Sequence, residues 1–251
     1  MIASLELLKA PTGESLEFSM EGKTMFVTTG KGLKFPVIND IICFLDNVPL
    51  EGNNLKYQKM YNRIAAFYDI AGQLYAFFRQ GSVKKRIMNY LSLLEIKDSD
   101  KVMEISIGTG RNIRYLKAGP DYFGVDISLG MLNRCLKQMK KIGRDISLIQ
   151  AEAEALPLKD NTFDVVFSAG GFNFFNDPGK AMLEMIRIAK AGTIILITDE
   201  TETFRLKHSR NEFYKNIPIK DPRIYLPSFC TEVEYREICD NDLYVLTFRK
   251  P

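Results

Sequence analysis

The residues best suited to ligand chemistry are a glycine turn and two acidic positions that follow it. Gly108 and Gly110 come directly after an apolar stretch, where glycines let the backbone turn sharply and approach a ligand closely. Asp126 ends the next apolar stretch, where a carboxylate can accept from both hydroxyls of a ribose. Glu152 follows the third stretch and can accept from an adenine amino group, while the Ala153 N–H donates to a ring nitrogen. The set predicts an adenosine site, with capping of strand or helix ends as the alternative role for each acid.

Three features decide which adenosine compound fits. Ile113 stands where the dinucleotide fingerprint has its third glycine, which disfavours NAD and FAD. The turn also lacks the Lys-Ser/Thr pair of a phosphate-binding P-loop. Glu104, inside the strand before the turn, can order the loop and reach a cationic group. The residues therefore predict S-adenosylmethionine, an adenosine that carries an amino-acid tail.

The elements that must position these residues alternate between strands and helices. The strand candidates are 101–107, 122–126, 146–150, 162–168 and 193–198, and the helix candidates are 111–117, 129–141 (capped by Ser128) and 178–189. This alternation predicts an α/β fold with a doubly wound, Rossmann-like, mostly parallel sheet, whose ligands bind outside the carboxyl ends of the strands. Two late strand candidates, 232–238 and 243–249, predict an antiparallel edge.

The first fifty residues differ in pattern from the rest. Short extended stretches at 16–18, 25–28 and 35–38 alternate with turn residues, and about fifty residues can bury only a thin core. We therefore predict two domains: a small β-rich module over 1–50, which needs a docking surface, and a second domain over 51–251. A helix over 57–78 opens the second domain, and Ser82 is predicted to cap the helix that follows it.

Five segments carry the pattern of a known family. They are the glycine loop 104–110, the ribose segment 125–128, the stretch 151–166 with Ala-Glu-Ala-Glu-Ala-Leu-Pro-Leu at its start, the segment 185–193, and the aromatic segment 61–69. Over about residues 57–200 the chain resembles the class I S-adenosylmethionine-dependent methyltransferases, specifically the group around the ubiquinone/menaquinone biosynthesis C-methyltransferases. The resemblance implies a methyltransferase domain and a site for this cofactor.

The resemblance also implies which residues bind the cofactor. The full predicted set is Glu104, Ser106, Gly108, Gly110, Asp126, Ile127, Glu152, Ala153, Ser168, Tyr61 and Tyr68. The two tyrosines belong to the segment that covers the cofactor in the family, and a role as core aromatics is the alternative. Ser106 stands where the family usually has glycine, and Glu152 where aspartate is commoner; we expect cofactor binding to survive both.

The aromatic stretch 172–175 follows the fourth predicted strand of the sheet. Its position predicts contact with the methionine end of the cofactor or with the acceptor, through Phe172 and Asn173. Capping of the next helix is the alternative role for Asn173. No general base is predicted.

A second resemblance covers the first fifty residues. Segments 7–13 and 32–45 are similar to the short zinc-binding partner subunit of certain tRNA and protein methyltransferases. Ala10 and Gly13 stand where that family has cysteine ligands, so we predict that no metal is bound. The hypothesis is that this module docks permanently on the catalytic domain and shapes its substrate mouth.

Composition excludes several other classes of protein. The 34 Lys and Arg residues against 31 Asp and Glu residues give a net charge of +3, too small to indicate nucleic acid or an acidic membrane surface. One histidine, His208, and four separated cysteines leave no pattern of metal ligands or disulfides, which is typical of a reducing compartment. No segment reaches the roughly 20 apolar residues that a bilayer requires. We therefore predict a soluble, cytoplasmic protein.

Together these points predict an enzyme that moves a methyl group from S-adenosylmethionine to a small-molecule or lipid-like acceptor. The aromatic stretch favours an apolar or ring-bearing acceptor. Two other functions stay open: a methyltransferase that acts on tRNA or protein, and a non-catalytic, S-adenosylmethionine-binding regulatory subunit. An NAD-dependent reductase is disfavoured because the chain has no Tyr-x-x-x-Lys. The acceptor atom and the oligomeric state are not predicted.

Overall fold

Eleven strands form one sheet in the part of the chain that the structure describes. The structure is a computed structural model that describes residues 2–10, 13–46, 49–78, 83–208 and 219–251, without the side chains of 66–78 and 208. The strands are β1 (Leu16–Glu21), β2 (Thr24–Thr29), β3 (Lys34–Ile38), β4 (Ile41–Cys43), β5 (Lys101–Ile105), β6 (Asp121–Asp126), β7 (Ser147–Gln150), β8 (Val165–Ala169), β9 (Ile194–Glu200), β10 (Thr231–Ile238) and β11 (Leu243–Arg249). Their order in the sheet is β1-β2-β3-β4-β7-β6-β5-β8-β9-β11-β10.

The six central strands, from β4 to β9 in this order, run parallel to one another. Their registers place Asp126 beside Gln150 and Ile105 beside Ser168. The carboxyl ends of these strands therefore meet at one edge, which is where ligands bind in such sheets. The predicted α/β, doubly wound arrangement is confirmed.

Antiparallel strands extend the sheet on both sides of this centre. The pair β11 and β10 follows β9, so the predicted antiparallel edge is confirmed. On the other side β1 to β4 form a meander, and β4 pairs in parallel with β7 through Ile42 beside Ile149 and Cys43 beside Gln150. The N-terminal strands thus continue the central sheet. The domain boundary near residue 50 stays a prediction.

Helices cover the sheet on both faces, as the doubly wound prediction requires. They are α1 (Gly52–Phe78), α2 (Val83–Leu91), α3 (Leu129–Lys141), α4 (Pro178–Ile188) and α5 (Glu202–His208). Ser128 caps α3 as predicted, because its hydroxyl accepts from the Met131 N–H at 3.1 Å. The predicted cap Ser82 lies outside the described residues. Among the residues described, no helix combines the length and the apolar character that crossing a membrane requires.

Two hydrophobic clusters lie on opposite faces of the sheet. Met182 and Met185 of α4 pack into one cluster, and Ile87 of α2 and Leu132 and Cys135 of α3 pack into the other. All five side chains are buried. Burial of apolar surface at roughly 25 cal/mol per Å² is what holds the helices to the sheet and so fixes the strand ends.

The predicted helix over 111–117 is wrong. The structure has only a short 3₁₀ turn there, Ile113–Tyr115. The Arg144 guanidinium donates to the carbonyls of Ile113 and Leu116, in place of the backbone N–H groups that a longer helix would bring. The nearby Gly119-Pro120 pair also stops continuation, since proline lacks an N–H. No α-helix N-terminus therefore stands behind the glycine turn.

The first helix begins earlier than the sequence predicts. Its first residues, Gly52 to Asn54, precede residue 57, where the sequence predicts the helix to start. The Asn53 N–H at this helix start donates to Asn176 Oδ1 at 2.7 Å. A free N–H at a helix start needs such a partner, and this one comes from a distant part of the chain.

Candidate functional site

A cleft opens at the carboxyl ends of β5, β6 and β8. Most of its lining side chains are apolar or aromatic, which is typical of small-molecule sites. Six of the predicted site residues line it, namely Tyr61, Ser106, Gly108, Asp126, Ile127 and Ala153. The cleft therefore brings together residues from the start of α1, the turn after β5 and the loops after β6 and β7.

The turn after β5 has an unusual backbone. Ser106, Gly108 and Gly110 all have positive φ angles, of 59°, 55° and 75°. A side chain on Gly108 would meet no atom within 4 Å, so its backbone faces the open cleft. A Cβ on Gly110 would lie 2.6 Å from Cys135 Sγ, so this glycine permits close packing on α3 rather than contact with the cleft. Ser106 also has the left-handed conformation, which costs free energy for a residue with a Cβ atom.

Asp126 is the central carboxylate of the cleft. Its Oδ2 accepts from the Gly108 N–H at 2.8 Å, and its Oδ1 accepts from the Ser128 N–H at 2.9 Å. A carboxylate offers about four lone-pair positions, so about two remain for a ligand's hydroxyls. Burial raises the pKa of Asp126 to about 6, against the lowering effect of the backbone hydrogen bonds. Above that pH the group is an acceptor for a diol such as ribose.

Glu104 lies beneath the turn, fully buried in β5. Its Oε1 accepts from Asn112 Nδ2 at 2.5 Å, and Asn112 Oδ1 accepts from the Tyr90 hydroxyl at 2.6 Å. Burial raises the pKa of Glu104 well above its ordinary value, and the nearby Asp126 charge adds to this. Its Oε2 and the Ser168 Oγ are buried without a partner among the described residues. Neither Glu104 nor Ser168 lines the cleft wall.

The predicted adenine side of the cleft is tied to the start of α1. Glu152 does not line the cleft; its Oε1 accepts from Asn54 Nδ2 at 2.8 Å. Ala153 does line it. The Ile127 carbonyl accepts from Gln150 Nε2 at 3.0 Å and from Gln58 Nε2 at 3.2 Å, which ties α1 to this side.

Aromatic rings form the opposite wall. The Tyr57 ring lies 5.1 Å from that of Phe174, edge to face, and 6.3 Å from that of Tyr61. Phe175 also lines the cleft, whereas Phe172 is buried beneath it, 5.6 Å from the Phe175 ring. The side chain of Tyr68 lies outside the described part of the structure.

Asn173 fixes the turn that carries these rings. Its backbone N–H donates to Asp199 Oδ2 at 2.9 Å, and its Nδ2 donates to the Glu200 carbonyl at 2.9 Å. Its Oδ1 accepts from the Tyr244 hydroxyl at 3.0 Å. The side chain is thus engaged with β9 and β11, which gives it a structural role and explains why it does not line the cleft.

Two acids at the end of β9 have raised pKa values. Burial raises the pKa of Asp199 to about 6 and that of Glu200 to about 7, and the Asp199 charge contributes to the latter. Asp199 also accepts from the Glu200 N–H at 2.8 Å, so both of its oxygens are held by backbone groups. Neither of these acids lines the cleft.

Residues 103–197 match the family described as a methyltransferase domain. This segment of the chain is similar to methyltransferase domains. The chain is 30% identical over 141 residues to the demethylmenaquinone methyltransferase of Renibacterium salmoninarum, which covers 56% of each protein. It is 27% identical over 190 residues to that of Paenarthrobacter aurescens, covering 75% of this chain and 70% of the relative. The first match thus spans little more than half of the relative's length.

Solved structures share the fold of this chain. A [4+2]-cyclase, SpnF, aligns with a TM-score of 0.62 at 12% identity, covering 81% of this chain and 98% of the cyclase. A possible histamine N-methyltransferase of Thermotoga maritima aligns with a TM-score of 0.57 at 21% identity, covering 76% and 100%. The predicted Rossmann-like sheet is confirmed by this shared fold. The prediction of an S-adenosylmethionine-dependent methyltransferase is confirmed by the family match and the named relatives.

Several residues of the methyltransferase cleft are absent from the predicted set. Asn54, Tyr57, Glu154 and Phe174 line it. Tyr57 and Phe174 lie in aromatic stretches that the sequence does point to, so their residue type was a usable signal. Asn54 and Glu154 carry no such signal, because their placement depends on contacts between distant segments.

Proposed function

We propose that this chain transfers a methyl group from S-adenosylmethionine to a small-molecule acceptor with a quinone-like ring. The observation that carries the proposal is the cleft at the strand ends, with the Asp126 carboxylate on one side and the rings of Tyr57 and Phe174 on the other. The relatives are named as demethylmenaquinone methyltransferases, which supports a ring-bearing acceptor.

The residues present fit this cofactor. A ribose and an adenine would be held by three residues. They are Gly108, whose backbone has an open side, Asp126, which has about two free lone-pair positions, and the small, apolar Ala153. Ser106 and the backbone near Gly170 line the cleft beside the turn, where an amino-acid tail would lie. When bound, S-adenosylmethionine supplies a methyl group that its positive sulfur already makes electrophilic.

The chain's own task is then to bind and align. Asp126 and the glycine turn fix the cofactor, while the apolar wall excludes water and orients a flat acceptor. Holding two reactants in line is worth several kcal/mol of barrier, on the order of 7–11 in well-oriented systems.

Binding experiments test the cofactor and activity assays test the acceptor. Calorimetric titration of the full chain with S-adenosylhomocysteine should give a Kd in the micromolar range, and NAD should give no heat. Formation of S-adenosylhomocysteine should then be highest with hydroquinones among a panel that also holds an amine, a tRNA and a peptide. Tight cofactor binding without turnover on any acceptor would instead favour a regulatory subunit, and turnover on tRNA or peptide alone would favour that class.

We also propose that the N-terminal strands stay docked on the catalytic domain. Two separate contacts support this: β4 pairs with β7, and Leu8 bridges Leu158, with the Lys9 N–H donating to the Pro157 carbonyl at 3.1 Å. Removing residues 1–50 should leave an unstable remainder. A stable and fully active truncated chain would contradict this.

Location in the cytoplasm also remains a proposal. It is supported by the four cysteines, Cys43, Cys135, Cys230 and Cys239, which are all free thiols. Free cysteines persist in reducing compartments. Fractionation of cells that express the tagged full chain would test it, and recovery in the membrane pellet would contradict it.

A further inference from the structure

Three segments that are far apart in the sequence meet at the rim of the cleft. They are the start of α1 at residues 51–54, the loop after β7 at 152–154, and residues 176–177 before α4. Asn54 and Glu154 also line the cleft. The contacts among these segments therefore bear on how a ligand reaches the interior.

Glu154 joins all three segments through one carboxylate. Its Oε1 accepts from the Asn176 N–H at 2.8 Å and from the Asp177 N–H at 3.2 Å. Its Oε2 accepts from Asn54 Nδ2 at 3.2 Å. Hydrogen bonds to an ionised acceptor are stronger than those between neutral groups, so this one side chain makes a substantial junction.

The side chain of Asn176 reinforces the junction. Its Oδ1 accepts from the Asn53 N–H at 2.7 Å, and its Nδ2 donates to the Glu51 carbonyl at 3.0 Å. Between these two contacts lies Gly52, where an added Cβ would sit 2.7 Å from Asn176 Oδ1. The start of α1 is thus held close against residue 176.

These contacts fix the positions of two walls of the cleft, α1 and the turn at 172–175. Asn54 leads into the turn of α1 that carries Tyr57, and the Tyr57 ring packs against Phe174, two residues before Asn176. Asn54 also bonds to Glu152, the carboxylate that sequence assigns to the adenine. Separating the start of α1 from the turn at 172–175 would therefore open the cleft on its adenine side.

We propose that Glu154 is a positioning residue that holds α1 against the turn at 172–175 and thereby sets the rate at which the cofactor enters and leaves. The inference rests on the proposed function for the identity of the ligand. An adenosine-sized ligand passes the rim when the bonds of Glu154 break, so weakening them lowers the barrier in both directions.

Rapid-mixing kinetics of S-adenosylhomocysteine binding to the full chain test this role. In Glu154→Ala the dissociation rate constant should rise about tenfold and the association rate constant about threefold, since three hydrogen bonds are lost. Glu154→Gln keeps one carbonyl oxygen and should show smaller increases in both constants. Asn176→Ala, which removes the reinforcing bonds, should change both constants in the same direction. Glu17→Gln, an exposed acid on β1, is the matched control and should match the wild type.

The outcomes separate this inference from the proposed function. If the wild type binds S-adenosylhomocysteine but Glu154→Gln and Asn176→Ala leave both rate constants unchanged, the role of Glu154 is overturned. A faster dissociation with unchanged association would also overturn it, because that result describes a lost ligand contact and not a barrier. A wild-type chain that binds no S-adenosylhomocysteine would overturn both proposals. Thermal unfolding of each variant shows that it is folded before its rates are compared.

Discussion

The two sides of the cleft are built in different ways. On one side, the proposed cofactor side, Asp126 accepts from Gly108 and Ser128, which lie 18 and 2 residues away in the sequence. On the other side, the proposed acceptor side, Asn173 bonds to Asp199, 26 residues away, and to Tyr244, 71 residues away. The cofactor side is thus formed by neighbouring strand ends and their turns, while the acceptor side needs the C-terminal hairpin as well.

The two sides also differ in the chemical groups that they offer to a ligand. The cofactor side offers backbone groups and one carboxylate, which suit a ligand that every member of such a family shares. The acceptor side offers aromatic rings held by buried side-chain hydrogen bonds, which changes in distant residues can reshape. Function can therefore diversify on the acceptor side while the cofactor side stays the same, as is common among proteins that share a fold.

The largest expected effect comes from Asp126→Asn, which tests whether the cofactor side depends on one carboxylate. The amide cannot accept from both backbone N–H groups and a ribose, so we expect about a 100-fold higher Kd for S-adenosylhomocysteine, measured by calorimetry. On the acceptor side, Asn173→Ala should change that Kd less than twofold while it lowers kcat/KM for the acceptor. Equal losses of cofactor affinity in both variants would remove the distinction between the two sides.

A second prediction concerns the point where the two sides touch. A Cβ on Gly171 would lie 2.5 Å from the Cβ and Oγ of Ser106, so Gly171→Ala should lower the free energy of unfolding by about 2 kcal/mol. Adding Ser106→Gly removes the obstructing side chain and the left-handed strain, and should recover most of the loss. Denaturant unfolding of the two single variants and the double variant measures this. If the changes in unfolding free energy of the two single variants simply add in the double variant, the two residues are not in contact.

The raised pKa of Asp126 predicts opposite effects of pH on stability and on binding. Its folded pKa, about 6, exceeds the unfolded value of roughly 3.9, so its contribution to stability is present below about pH 4 and is lost as pH rises through 6. Cofactor binding needs the carboxylate, so affinity should be about tenfold lower at pH 5 than at pH 7. Calorimetry across this range measures it. An unchanged pH dependence in Asp126→Asn would assign the effect to another group.

The smallest effect is expected from Tyr244→Phe. Loss of the hydroxyl leaves Asn173 Oδ1 without its donor and should loosen the turn that carries Phe174. We expect kcat/KM for the acceptor to fall about fivefold, the equivalent of roughly 1 kcal/mol, with no change in cofactor Kd. Tyr115→Phe is the matched control. A change in the cofactor Kd alone would show that Tyr244 acts on cofactor binding, which contradicts its assignment to the acceptor side.

The contrast between the two sides also explains what the sequence could predict. Asp126, Gly108 and the cap Ser128 belong to a continuous strand-turn pattern, and the predicted residues fall where the pattern puts them. Glu154 and Asn54 were missed because their contact joins residues 100 positions apart. No local preference encodes such a contact.

The wrong helix at 111–117 has a related cause. Its residues have acceptable helix propensity, but its carbonyls are taken by Arg144, 28 to 31 residues further along the chain. Gly110 shows the same limit. The sequence predicts that a close approach requires glycine there, but the atom that approaches belongs to Cys135 and not to a ligand in the cleft. Local patterns identify such residues, and distant packing decides what they contact.

The pairing of β4 with β7 has a consequence for how the protein is made. Ile42 cannot find its partner Ile149 until about a hundred more residues have been synthesised, which takes roughly 5–20 s at usual translation rates. During that interval Val27, Phe35 and Ile42, which are all buried in the folded protein, lack the central sheet that their meander later joins. These apolar strands are therefore exposed during synthesis for longer than strands whose partners follow closely in the sequence.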